Sequence, residues 1–155
     1  MSADAKTDWE AVYRAEAPNL WRSLVLQTGS PDIASDAVAE AFAQGIARGD
    51  AIRKPGAWVW KAGFMIARAE VGRVRADLPV AHEIDAVALE PVIDLLDGLR
   101  TLSAMQRSAT VLHYFAGYSL AETATILGST RSAIGVHLFR ARRKLRDELE
   151  RNDDR

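Results

Sequence analysis

The sequence predicts an all-α protein made of two small helical domains: an N-terminal bundle over residues 1–75 and a C-terminal helix-turn-helix over residues 99–155, joined by an acidic linker at residues 76–98. Three observations carry this. Apolar residues recur at helical spacing, and no run of strict alternation is long enough for a strand. Capping residues and glycine breaks divide the C-terminal third into short helices. The charge is unevenly spread. Formal net charge is only −1, but residues 1–75 hold 10 Lys/Arg against 9 Asp/Glu, residues 76–98 hold six acids and no Lys/Arg, and residues 99–155 hold 10 Lys/Arg against 6 acids. Local charge sets the field a polyanion meets, so the average conceals a basic end.

With 48% hydrophobic and 26% charged residues, the 155-residue chain has an ordinary globular composition. It has no cysteine, which excludes disulfides and cysteine-ligated zinc and suits a reducing compartment. Met1 to Glu10 carries acids and lacks an apolar h-region, so no signal peptide is expected there. The apolar stretches fall short of a membrane span. A cytoplasmic location is expected.

In the N-terminal bundle, Trp9, Val12, Tyr13, Leu20, Leu24 and Val25 form the first stripe, with Pro18 expected to bend or split the helix. Gly29–Ser30–Pro31 is a turn signal, and Pro31 suits the first turn of a second helix running to about Ala47. Ile33, Ala37, Ala41 and Phe42 fall on its apolar side. Arg48–Gly49–Asp50 reads as a loop. Lys54–Pro55–Gly56 opens a third helix through Trp58, Ala62, Ile66 and Ala69 to about Arg75. From Ala76 to about Asp97 the pattern weakens, with breaks at Leu78–Pro79 and Glu90–Pro91 and a short helix near the end.

Near Leu99 the second domain begins. Ser103 caps a helix through Ala109, Leu112 and Phe115, which Gly117 ends. Ser119 and Glu122 form a capping box for a short helix of Leu120, Ala121, Ala124 and Leu127 that stops at Gly128. Thr130 caps a long final helix. Two helices joined by a short glycine-containing turn, the second strongly basic, predict a DNA-reading helix-turn-helix. At 100° per residue, Ile134, Leu138, Ala141 and Leu145 face the core. Ser132, Val136, Phe139, Arg140 and Arg143 lie opposite, with Ala133 at the margin and His137 flanking. Arg131 and Ser132 head the helix, where the backbone favours phosphate. Arg142, Lys144 and Arg146 lie further along, within reach of flanking backbone. The bland alternative is a solvated basic helix; caps, turn and sidedness together favour DNA.

These residues resemble a family, the bacterial sigma factors of the extracytoplasmic-function type. Leu102–Ser103–Ala104–Met105–Gln106–Arg107, then Val111–Leu112–His113–Tyr114–Phe115, resembles the start of sigma region 4. Gly117–Tyr118–Ser119–Leu120–Ala121–Glu122–Thr123–Ala124 resembles its first binding helix, and Leu138–Phe139–Arg140–Ala141–Arg142–Arg143–Lys144–Leu145 the end of its recognition helix. Helix-turn-helices of response regulators share part of this pattern. The N-terminal half separates the two: residues 32–42, from Asp32 to Phe42, are similar to region 2.2, while Lys54–Pro55–Gly56–Ala57–Trp58–Val59 and Ile66–Ala67–Arg68 resemble regions 2.3 and 2.4. Both matches stand in the family's order and spacing.

The resemblance implies a factor that binds RNA polymerase core, at its clamp and flap regions, and directs promoter-specific initiation without catalysis, cofactor or metal. Core polymerase would be met by Asp36, Ala39, Glu40, Ala43 and Gln44; Asp36 and Glu40, one turn apart, put two carboxylates on one face. The promoter −10 element would be held by Arg48, Asp50, Arg53, Lys54, Lys61, Arg68, Arg73 and Arg75. The loop at residues 48–53 corresponds to the segment that holds a flipped base, which needs charge and an enclosing or stacking pocket. Trp58 and Trp60 can stack, although Trp58 is better placed in the core. The −35 element would be read by Thr130, Arg131, Ser132, Ala133, Val136, His137, Phe139, Arg140 and Arg143. The acidic linker corresponds to a segment that threads the RNA exit path in relatives, or serves only as a tether. An anti-sigma factor is the further partner implied.

The sequence also departs from the family pattern. Gly135 and Val136 stand where relatives often carry Lys and Ser, Ala39 where Gln is usual, and Met65 in place of a common Asn. The first two bear on the −35 sequence that is read, and Met65 on promoter melting. Two alternatives stay open: a conventional helix-turn-helix regulator that senses or dimerises through its bundle, and a sigma-like adaptor that does not melt promoters. An enzyme is disfavoured, because no polar constellation converges. His82, His113 and His137 are scattered, and His113 is expected to pack rather than ligate.

Overall fold

The computed structural model describes residues 6–73 and 96–154, and every regular element among them is helical. α1 spans Trp9–Thr28, α2 Pro31–Arg48 and α3 Pro55–Arg73, with a 3₁₀ turn at Gly49–Ala51. After a helical turn at residues 96–99, α4 covers Ala104–Thr110 and runs into a π-turn at Val111–Phe115. α5 is Leu120–Leu127 and α6 is Arg131–Asp153. The linker over residues 76–95, His82 and Arg75 lie outside the described residues.

α1 is continuous through Pro18, contrary to the bend or split expected. A proline inside a helix costs ~3 kcal/mol, and here the carbonyl it orphans belongs to exposed Arg14, which water can satisfy. The turns that follow are enclosed: Leu20, Leu24, Val25 and Leu26 are all buried. At roughly 1.5–3 kcal/mol for each such side chain, that burial outweighs the proline's cost. The ends are fixed locally. Asp8 accepts from the Ala11 amide, and the Gly29 N–H closes the C-terminus on the Val25 carbonyl. Ser30 then caps α2 through the Ile33 amide, with Pro31 in the first turn.

Ile33, Ala37, Ala41 and Phe42 are buried on α2 as the periodicity predicts. Gly45 allows the close approach of α1: a Cβ there would lie 2.6 Å from the Trp9 ring. α3 departs from its expected stripe. Ala69 is exposed and Ile66 half-buried, while Val59, Trp60, Gly63, Phe64 and Ala67 are buried. The reason is that α3 packs on two sides, against α1 and α2 on one and α5 on the other. Phe115 is likewise turned out, 41% exposed, because the π-turn inserts an extra residue and rotates the register.

The two halves share one continuous apolar core. Leu96 and Leu99 are already part of it, so ordered packing of the second half starts before Leu99. Polar contacts complete the junction. Gln27 Nε2 donates to Ser108 Oγ at 2.9 Å. The Arg107 guanidinium donates to the carbonyls of Leu99 (2.9 Å), Gln27 (3.0 Å) and Leu102 (3.2 Å). The Trp60 ring meets Tyr118 edge-on at 5.1 Å, and its Nε1 donates to Glu16 Oε2 at 2.7 Å.

Arg107→Ala leaves three carbonyls short of a donor, that of Gln27 across the junction and those of Leu99 and Leu102 beside α4. Expected loss of unfolding free energy is about 2–3 kcal/mol by denaturant titration. Arg107→Lys should recover less than half, because one ammonium cannot span the three acceptors.

Candidate nucleic-acid interface

The C-terminal half places α6 by a series of local devices. Ser103 and Gln106 form a reciprocal capping box on α4, and Ser119 and Glu122 form another on α5. Gly128, at φ 63°, ends α5 in the left-handed conformation, and Thr130 then accepts from the Ala133 amide at 3.1 Å to start α6. The hydrogen bonds from Ser119 hold the Glu122 carboxyl below the usual carboxylate range, with Lys54 adding to the effect. A depressed folded-state value means that the box contributes fully above the unfolded pKa and is lost as pH falls through the folded one. It is complete at neutral pH.

On α6, Ile134, Leu138 and Ala141 are buried and Leu145 is half-buried, as the wheel predicts. Thr130, Arg131, Ser132, Val136, Phe139, Arg140 and Arg143 are exposed, and Ala133 and His137 are half-buried at the margins. The ring of His137 sits closer to the core than to the outer face, with Nδ1 enclosed and unpaired. Arg142 is engaged, its Nη1 donating to the Tyr114 hydroxyl at 2.6 Å. His113 packs as expected, with Nδ1 at 2.7 Å from the Tyr118 carbonyl oxygen. From Arg131 to Arg146 the helix carries no acid. It therefore presents a cationic, partly apolar strip to solvent.

The residues singled out in the N-terminal half separate into two places. Asp36, Ala39, Glu40, Ala43 and Gln44 line one groove between α2 and α3, together with Ile66, Glu70 and Arg73. Gln44 Nε2 donates to Glu40 Oε1 at 2.9 Å, and Arg73 pairs with Glu70. Arg73 thus lies with the acidic groove and away from the other cations with which the sequence grouped it. Ala39 and Ala43 also border an apolar groove on the α1 side, lined by Tyr13, Trp21, Phe42 and Ile46. The ridge between the grooves is small-residued, so another helix can approach it closely.

Arg48, Arg53, Lys54 and Lys61 line a second site, an open cleft of about 950 Å³. Its far wall is α5 and the turn before it, through Tyr118, Glu122, Thr125 and Ile126. Trp58 is half-buried at its rim, with Arg48 5.3 Å above the ring centroid. Trp60 is 2% exposed and enclosed by Phe64 and Tyr118, so in this docked arrangement it is unavailable to stack on a base. Asp50 Oδ1 accepts from the Thr7 amide at 2.8 Å and ties down the chain before α1. Arg68 and Met65 are exposed further along α3.

Tyr118 and Arg107 are junction residues that sequence reasoning passed over. Burial, then Glu16 and Glu122, push the Tyr118 phenol well above its ordinary value, and burial followed by Arg100 lowers that of Arg107. Neither sits on a periodic stripe. The one available signal was the unbroken apolar run Leu24–Val25–Leu26, which a helix covered on a single side does not need.

Over the described residues the fold and these surfaces define an all-helical protein of two joined halves, the second a helix-turn-helix. Residues 93–145 match the family described as sigma-70, region 4. The chain is 39% identical over 59 residues to an RNA polymerase sigma-E factor of Streptomyces antibioticus, covering 38% of this chain and 33% of that protein. It is 24% identical over 151 residues to the ECF RNA polymerase sigma factor BldN of Streptomyces coelicolor, covering 86% of this chain and 57% of the relative. It therefore spans from a third to just over half of the length of these curated relatives. In fold it is similar to the sigma factor RpoE in complex with the anti-sigma factor NepR from Bartonella quintana, with a TM-score of 0.71, 22% identity, and 92% of this chain and 97% of the other covered. CnrH in complex with the cytosolic domain of CnrY matches with a TM-score of 0.71, 21% identity, and 92% and 87% covered. The resemblance to extracytoplasmic-function sigma factors drawn from the sequence is borne out.

Two measurements test this geometry. Ser119→Ala removes one half of a capping box and is expected to cost ~1 kcal/mol of stability in thermal unfolding. Arg140→Ala, at an exposed position, should leave the unfolding midpoint unchanged and weaken duplex binding in fluorescence anisotropy. Undiminished binding removes Arg140 from the interface.

Proposed function

We propose that this chain is a sigma factor that docks on RNA polymerase core and directs it to selected promoters, with no catalysis of its own, in the cytoplasm where the polymerase works. The observation that carries this reading is the position of the region 4 match. It falls on the segment whose last helix faces solvent with Arg131, Arg140 and Arg143 and without an acid before Asp147. In this reading α6 enters the major groove of the −35 element, and phosphates are met by Arg131 and the cations further along the helix.

The acidic groove between α2 and α3 is the surface we assign to the polymerase clamp. Asp36 and Glu40 supply charge, and the low ridge of Ala39 and Ala43 lets a partner helix settle. The α4–α6 half would meet the flap. The cationic cleft of Arg48, Arg53, Lys54 and Lys61 would take the −10 strand, with Trp58 at its rim as the stacking surface. Glu122 and Tyr118 share that cleft in the docked arrangement. A polyanionic strand entering it meets a carboxylate, so the two halves are expected to part when DNA is bound. An anti-sigma factor is a further expected partner, as for the RpoE that this fold resembles.

Reconstitution with core polymerase and a run-off transcription assay test the proposal. Core association and promoter-dependent transcripts are expected. Stable duplex binding with no affinity for core would instead identify a conventional regulator, and core binding without open complexes a non-melting adaptor. Replacing Asp36 and Glu40 together by Lys should reduce core affinity at least about tenfold, as reversal of a charged contact does, while helical circular dichroism stays intact. Duplex affinity of the reconstituted complex should fall steeply between 50 and 200 mM salt.

A further inference from the structure

Gly135 stands half-buried on the flank of α6, beside the outer face, and no contact inside the fold requires it. Its φ is not among the positive values, which belong to Gly29, Gly49, Gly117 and Gly128. A Cβ built on it meets nothing within 4 Å. Glycine within a helix is unfavourable relative to alanine, and where no turn needs it the usual compensation is close approach of another molecule to the backbone.

The adjoining outer face carries two large apolar side chains left open to solvent, Val136 at 48% and Phe139 at 56% exposure. Three residues apart, they are neighbours, with Cβ atoms about 5–6 Å from each other. Ser132, Arg140 and Arg143 frame them. No Gln occurs on α6 and the one Asn is Asn152 near its end, so the side chains that pair bidentately with adenine are missing from this face. The absence of any acid between Arg131 and Arg146 marks the occupant as a polyanion. In the major groove of a duplex the apolar feature on the base edges is the C5-methyl group of thymine.

We propose, resting on the duplex-reading role above, that α6 recognises its element by seating Val136 and Phe139 against thymine methyl groups, with Gly135 letting the helix backbone settle deep in the groove. At a rise of about 3.4 Å per base, the two side chains reach thymines on adjacent or next-but-one steps. The flanking arginines supply position and affinity, while the methyl contacts supply the choice of sequence.

The experiment begins with selection of duplexes from a random pool by the full chain, with and without bacterial core polymerase. Each thymine of the selected site is then replaced by deoxyuridine, which removes the methyl and nothing else. At one or two positions affinity should fall about three- to fivefold, the size expected for one buried methyl. Val136→Ala and Phe139→Ala should each abolish sensitivity to deoxyuridine at one of those positions. Gly135→Ala should raise the melting temperature yet weaken binding to the selected duplex.

A selected duplex indifferent to every deoxyuridine, or equally sensitive in the parent and both alanine variants, overturns this inference and leaves the duplex-reading role standing. Loss of core affinity in Phe139→Ala with unchanged duplex preference makes the face a polymerase contact and also overturns it. Failure to select any duplex under either condition overturns the duplex-reading role and this inference with it.

Discussion

The Arg107 guanidinium is the tie on which the arrangement of the two halves depends. Its three hydrogen bonds reach the carbonyls of Leu99 and Leu102 in the approach to α4 and that of Gln27 near the end of α1. Arginine suits this role because its planar, always-charged fork offers several donors in fixed directions. Around it the junction is mixed in character. Gln27 and Ser108 pair while buried, Gln27 Oε1 has no partner, and Trp60 and Tyr118 supply an aromatic contact. Such an interface holds, but separating it returns hydration to a half-buried charge and several polar groups. It is less costly to open than an apolar one of equal area.

That balance matters because of what the junction covers. The cationic cleft between Lys54 and Glu122 has one wall from each half. The strip on α6 and the acidic groove between α2 and α3 are open in the same arrangement. The docked form therefore leaves two of the three candidate surfaces free and shares the third. Charge divides them too: the groove is rich in carboxylates, while α6 is cationic over four turns, so one polyanion cannot suit both. Two faces of one small chain thus differ in the sign of the charge they present.

Much of the C-terminal half was legible beforehand. Ser103, Ser119 and Thr130 cap as predicted, Gly128 terminates α5, and the outward set on α6 is exposed, because caps and turns are satisfied within a few residues of sequence. The five residues assigned to the polymerase do line one groove, since i, i+3, i+4 and i+7 positions on a helix share a face. Less legible was the cation set. Arg73 lies on the acidic side, Asp50 is spent on the Thr7 amide, and Trp60 rather than Trp58 is the enclosed tryptophan. Each of these depends on a neighbour distant in sequence.

The sequence by itself determined the helices, their ends and the orientation of α6, including the basic strip and the glycine set in it. Only the tertiary structure decided that α3 buries two sides, that Pro18 is carried inside an unbroken helix, and that Arg107 and Tyr118 bind one half to the other. The division follows from range. Hydrogen bonds of a cap close over three residues, and helical periodicity repeats over four. The contacts of the junction join residues 81 and 80 positions apart, and no local pattern records them.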